Sequence, residues 1–128
     1  MGTISDKEIR AFVRAAIATA LWSETDPGTG EPLEDHYRES SLTDEAREDL
    51  EADARAFLER PGVREAIGRR LTDAGHDWWL TRCGHGAGFW DGGWPAAGER
   101  LTEAARASGA AMLDPDDEGQ LHYLGGGA

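Results

Sequence analysis

The sequence predicts an α+β domain: three to four helices packed on a small antiparallel three-stranded sheet. Three observations predict it. Ser5-Asp6-Lys7-Glu8 opens a run of apolar residues at helical spacing, Asp77–Arg82 is rich in aromatic and branched side chains, and two short apolar stretches flank a turn at Asp114–Gly119. The chain has 128 residues, which fits a single domain over 1–124, with 125–128 as a flexible tail.

Ser5 and Glu8 form a capping box, and Ile9, Phe12, Val13, Ala16, Ile17, Ala20 and Leu21 place one apolar stripe on a helix over 5–22. Asp26-Pro27-Gly28-Thr29-Gly30 and Glu31-Pro32 are turn chemistry, so 23–42 reads as a long loop pinned by Leu33, Tyr37 and Leu42. Thr43 or Ser41 caps a second helix over 43–60, with Ala46, Leu50, Ala54, Phe57 and Leu58 facing inward. Pro61-Gly62 ends it, and Val63, Ile67 and Leu71 predict a short third helix ending near Gly75.

Asp77–Arg82 reads as a strand. Alternation then puts Asp77, Trp79 and Thr81 on one face and Trp78, Leu80 and Arg82 on the other, so one tryptophan enters the core and the other lies nearer the surface. Gly84–Gly88 is a glycine-rich loop, Phe89–Trp94 is irregular, and Pro95 opens a fourth helix over 95–108 stopped by Gly109. A hairpin of 110–113 and 120–124 completes the three-stranded sheet.

Charge is the strongest compositional signal. Thirteen basic and 25 acidic residues leave a net charge of −12. Residues 24–59 hold 13 of the acidic groups and only Arg38, Arg47 and Arg55, a net of −10. Direct binding to nucleic acid or an anionic membrane is disfavoured, because phosphate binding relies on clustered Lys and Arg. A basic partner is compatible with it. The single cysteine, Cys83, excludes an internal disulfide, and no apolar run is long enough to span a bilayer. No secretory signal is evident at the N-terminus, and a cytoplasmic protein is expected.

The run Gly75–Trp94 gathers four of five tryptophans, two of four histidines, the cysteine and six of the 17 glycines. His76, Asp77, Arg82, His85 and Asp91 are the residues on which a small metal- or ligand-binding enzyme would be built, with His76, His85 and Asp91 as ligands. Their spacing matches neither a helical His-Glu-x-x-His motif nor a zinc finger. Gly84-x-Gly86-x-Gly88 lacks the Lys and Ser/Thr of a P-loop and leads into Phe-Trp-Asp rather than a helix. Cys83 has no evident activator and reads as a small buried residue. No cofactor and no catalytic residue are implied. The indoles staple a strand and a tight loop, and exposed members can meet a partner.

Ala74–Arg82 followed by Gly84–Asp91 resembles a signature of small acidic proteins encoded by bacteriophages and other mobile elements. Ala20-Leu21-Trp22-Ser23, Gly30-Glu31-Pro32-Leu33 and Arg100-Leu101-Thr102 fit the same layout. The resemblance implies a setting, an accessory protein in a bacterial host, and no mechanism. Together with the acidic block it leads to an expected function: binding a protein partner with a basic surface in a nucleic-acid-processing complex, as an inhibitor of a CRISPR or restriction type of defence. Glu45, Glu48, Glu51 and Glu59 would supply attraction, and Trp79, Arg82 and Trp90 local affinity.

Overall fold

Local signals set the helix starts. Ser5 Oγ accepts from the Glu8 N–H and the Ser5 N–H donates to Glu8 Oε1, both at 3.1 Å, opening helix α1 (Asp6–Ser23). Thr43 Oγ1 accepts from the Ala46 N–H at 3.0 Å and opens α2 (Asp44–Leu58). The computed structural model describes residues 4–84, 87–91 and 93–125, and is α+β. After α2 come α3 (Val63–Ile67), α4 (Leu71–Cys83), α5 (Gly98–Ala107) and the strands β1 (Ala111–Pro115) and β2 (Leu121–Gly125). The 24–42 segment is a loop with two single 3-10 turns, and Leu33 and Leu42 are buried while Tyr37 packs half-buried against the core, as the pinning residues require.

The expected third strand is a helix. Asp77–Arg82 forms the last half of α4, and the sheet among the described residues has two antiparallel strands. The physical reason is burial on nearly every side. Trp78, Trp79, Leu80, Thr81 and Arg82 are all buried in succession, so the polar side marked by Thr72, Asp73 and His76 does not continue into this half to reveal the helical period. A short apolar run is ambiguous between strand and buried helix. The glycine that ends the helix is Gly84, at φ 70°, rather than Gly75. The third predicted helix is therefore corrected to two, α3 and α4, while the fourth, expected over 95–108, is α5. Trp78 and Trp79 are both fully buried, against the expectation that one would approach the surface.

α4 is the central element, with α1 along one side, α5 along another and β1 beside its C-terminal end. α2 packs on α1 and on β2. Phe12 stacks on Phe57 with centroids 5.7 Å apart and meets Trp78 at 5.0 Å, and Phe57 continues to Phe89 at 6.0 Å. Leu113, Leu121 and Tyr123 turn the inner face of the hairpin onto this core, leaving Met112 and Leu124 exposed as cross-strand neighbours.

Gly75 permits the closest helix contact. A Cβ there would lie 2.3 Å from the Phe12 carbonyl oxygen and 2.9 Å from Ala15 Cβ, so α1 can approach α4 only over a glycine. Gly75→Ala should destabilise the protein by roughly 2–3 kcal/mol, because backbone must shift. Gly93→Ala, whose Cβ would meet nothing nearer than 4.0 Å, should stay within about 0.5 kcal/mol of wild type. Urea denaturation of both variants checks the contrast.

Candidate functional site

α4 aims its side chains at three different neighbours. Trp78 donates its Nε1–H to Ser108 Oγ at 3.2 Å, just past the end of α5. Trp79 donates to Glu24 Oε2 at 2.7 Å, at the C-terminal end of α1. Asp77 accepts from Trp94 Nε1 at 2.7 Å, and so ties the irregular 87–97 segment to the helix. Each buried indole N–H has a partner, as burial demands. Gly88, at φ 149°, lets this segment return onto α4: a Cβ there would lie 2.3 Å from Thr81 Oγ1, which accepts from the Phe89 N–H at 3.2 Å.

Arg82 is expected at a partner surface but is buried, with a side-chain exposure of 0%. Its guanidinium donates to the carbonyls of Gly109 at 2.8 Å, Ser108 at 3.2 Å and Ala110 at 3.4 Å. It lies 4.4 Å above the Trp78 ring and 3.6 Å from Asp53 Oδ2, which also accepts the Tyr123 hydroxyl proton. A cation beside the C-terminal carbonyls of α5 also complements the helix dipole. Burial, with the Asp53 hydrogen bond, pushes the Tyr123 hydroxyl pKa well above its usual range. Trp79 likewise is removed from any partner surface. Arg82 and Trp79 thus hold α4 to the hairpin and to α1.

Glu24, which the sequence does not single out, is the most perturbed carboxylate. Oε2 takes the Trp79 N–H and Oε1 takes the Leu113 N–H at 3.0 Å, joining α1, α4 and β1. Burial pushes its pKa up to about 7, against the two hydrogen bonds, which pull it down. The Cys83 thiol donates to the Ala111 carbonyl at 3.3 Å, and burial together with the nearby Glu24 charge pushes its pKa up to about 12. Such a thiol is not a nucleophile at neutral pH, in line with the sequence expectation.

The histidine-centred grouping comes together only in part. His76 Nδ1 lies 3.0 Å from Asp77 Oδ1, and its ring stacks under the half-exposed Trp22 with centroids 5.8 Å apart. His76 makes no hydrogen bond to a hydroxyl or thiol among the described residues. Asp91 Oδ2 accepts from the Gly88 N–H within its own turn. His85 lies outside the described residues. Among the described residues no group of three or more His, Cys, Asp and Glu is placed to share a metal ion.

The acidic block divides. Glu24, Asp26 and Asp53 turn inward, and Glu39 pairs with Arg47 at 3.6 Å. Arg55 folds back onto Asp6 at 2.8 Å and onto the Ile4 carbonyl at 3.2 Å. Asp44, Glu45, Glu48, Asp49 and Glu59 remain exposed along α2 and its C-cap, without an ion-pair partner among the described residues. Glu51, one turn after Glu48, is half-buried and lines a hollow with Arg10 and Arg55. Trp90, the remaining aromatic expected at a surface, is 41% exposed.

No protein-family model, curated protein or solved structure matches the chain. No helix among the described residues is long and apolar enough to cross a membrane.

Two outcomes test the buried charges. Because the fold raises the pKa of Glu24 from 4.5 to about 7, its protonated form is favoured in the native state; that stability is fully present below about pH 4.5 and is lost as pH rises through about 7. The loss should amount to roughly 2–3 kcal/mol. It is read as the difference between the wild-type and Glu24→Gln unfolding profiles from pH 5 to 8, in which the contribution of His36, its pKa raised by the hydrogen bond to Glu31, cancels. A wild-type profile no steeper than that of the variant contradicts the assignment. Arg82→Lys should cost roughly 2–4 kcal/mol in urea denaturation, since an ammonium keeps the charge but not the fork that reaches three carbonyls.

Proposed function

We propose that the protein is a non-enzymatic accessory protein of a bacteriophage or mobile element. It binds a basic surface on a nucleic-acid-processing defence complex of the bacterial host and blocks access of nucleic acid to it. The observation that supports this reading is the ridge of α2. Arg47 and Arg55, the two arginines within the helix, pair with Glu39 and with Asp6 and the Ile4 carbonyl, so Asp44, Glu45, Glu48, Asp49 and Glu59 are exposed acidic groups with no ion-pair partner among the described residues.

A rigid helix fixes the spacing of these carboxylates and lowers the entropy lost on binding. Their summed field attracts a surface rich in Lys and Arg and repels phosphates, so the protein competes with nucleic acid rather than binding it. The resemblance of the Gly75–Trp94 run to phage-encoded proteins supplies the biological setting.

The test combines capture, competition and charge reversal. The tagged protein should retain a nucleic-acid-processing complex from a defence-equipped bacterial lysate, and duplex DNA should displace it. The triple variant E45K/E48K/D49K, folded by circular dichroism, should bind that complex at least about 100-fold more weakly and lose the salt dependence of binding. Retention that DNA does not displace, or that survives the triple reversal, overturns the reading.

A further inference from the structure

Away from α2, a trough lies between α5 and the Phe89–Pro95 segment. One hollow of about 500 Å³ is walled by Trp90, Trp94, Pro95, Glu99, Glu103 and Arg106. A second, of about 640 Å³, adjoins it and shares Glu99 and Glu103; it adds Glu65 and Arg100, whose guanidinium lies over Gly62, and the carboxylates still outnumber the cations. Glu99 and Glu103 stand four residues apart on α5, hence on one side of it, and both are exposed. Neither has an ion-pair partner among the described residues.

The aromatic wall already displays an affinity for guanidinium groups. Arg70 covers the Trp94 ring at 3.9 Å, donates to the Gly93 carbonyl at 2.7 Å and closes that face. Arg106 lies 5.8 Å from the centroid of Trp90, at the outer limit of a cation–π contact, and leaves that indole 41% exposed. The trough therefore has one open indole face beside two unpaired carboxylates.

We propose that this trough is a second contact site, separate from the α2 ridge, and that it takes an arginine side chain from an extended segment of a partner protein. The guanidinium plane stacks on Trp90 while its N–H groups reach Glu99 and Glu103. An ammonium cannot combine stacking with a forked hydrogen bond, so arginine is preferred to lysine. Charge complementarity selects the occupant: the shared wall of the two hollows carries two carboxylates, and the apolar surface beside it suits the arginine stem.

The experiment titrates the full-length protein, labelled with nitrogen-15, with the peptide Gly-Ser-Arg-Pro-Arg-Ser-Gly and with its Lys, Ala and Glu counterparts. Amide shifts from the arginine peptide should centre on residues 89–106, and the lysine peptide should bind more weakly. Trp90→Ala should weaken binding by about fivefold, and Trp90→Phe should restore part of it. The double variant E99Q/E103Q should weaken it at least as much. E45K/E48K/D49K should leave it unchanged. Equal binding of the Ala peptide, preference for the Glu peptide, or shifts confined to residues 44–59 overturns the site, and the last of these leaves the α2 reading intact. Failure of the wild-type protein to show DNA-displaceable capture, with its peptide binding intact, would overturn the α2 reading and leave this one.

Discussion

Three side chains hold the open edge of β1, and the packing of the hairpin depends on them. Arg82 takes the Ala110 carbonyl, Cys83 the Ala111 carbonyl and Glu24 the Leu113 N–H. In the observed register Ala111, Leu113 and Pro115 face Gly125, Tyr123 and Leu121, and the Leu113 N–H points away from β2. Pro115 has no N–H to satisfy. A two-stranded hairpin alone is marginal in water, and an unpaired edge invites association. Here a helix end and a helix cap supply the polar groups that a third strand would have supplied. The other strand is partly covered as well, since the Thr43 N–H donates to the Leu121 carbonyl at 3.1 Å.

That arrangement determines which charges are sacrificed and which are free. Arg82 is desolvated in order to bind carbonyls at the end of α5, and Asp53 beneath it offsets part of the cost. Glu24 is buried with no such cation beside it, and burial raises its pKa. Glu8, at the opposite end of α1, shows the reverse: the hydrogen bond from the partly exposed Arg64 holds its carboxyl below the usual range. Two glutamates on the same helix thus differ in the sign of their shift because one meets a guanidinium and the other meets only neutral donors. With Arg47 and Arg55 paired to Glu39 and Asp6, the exposed carboxylates of α2 have no ion-pair partner among the described residues.

Much of the fold is legible where the signal is local. The cap at Ser5, the stripe from Ile9 to Ala20 and the Thr43 cap act over a few residues, and the structure follows each of them; the turn expected over Asp114–Gly119 is narrower, because β1 runs on to Pro115. α4 is illegible for the opposite reason. Its C-terminal half is decided by what surrounds it, and the consecutive buried residues Trp78–Arg82 carry no periodic contrast. The same limit hides Glu24: its partners Trp79 and Leu113 are 55 and 89 positions away, and nothing in its neighbourhood distinguishes it from twelve other acids in the block. Glu45, Glu48, Glu59 and Trp90 are exposed as a partner surface requires, whereas Trp79 and Arg82 are conspicuous as residue types and are buried.

The concentration of tryptophan in Gly75–Trp94 follows from this construction. An indole fills a large volume and still offers one donor at its rim. Trp78, Trp79 and Trp94 each place that donor on a different element, at Ser108, Glu24 and Asp77. A leucine would fill part of the volume and leave Ser108, Glu24 and Asp77 each short of a donor. Trp90 stands apart, because it is 41% exposed, with its ring packed over Gly88 and at the outer reach of Arg106. The fold needs three of the four indoles for its joints. The fourth keeps 41% of its surface exposed beside Glu99 and Glu103, and that exposed part is better explained by what it can bind than by what it holds together.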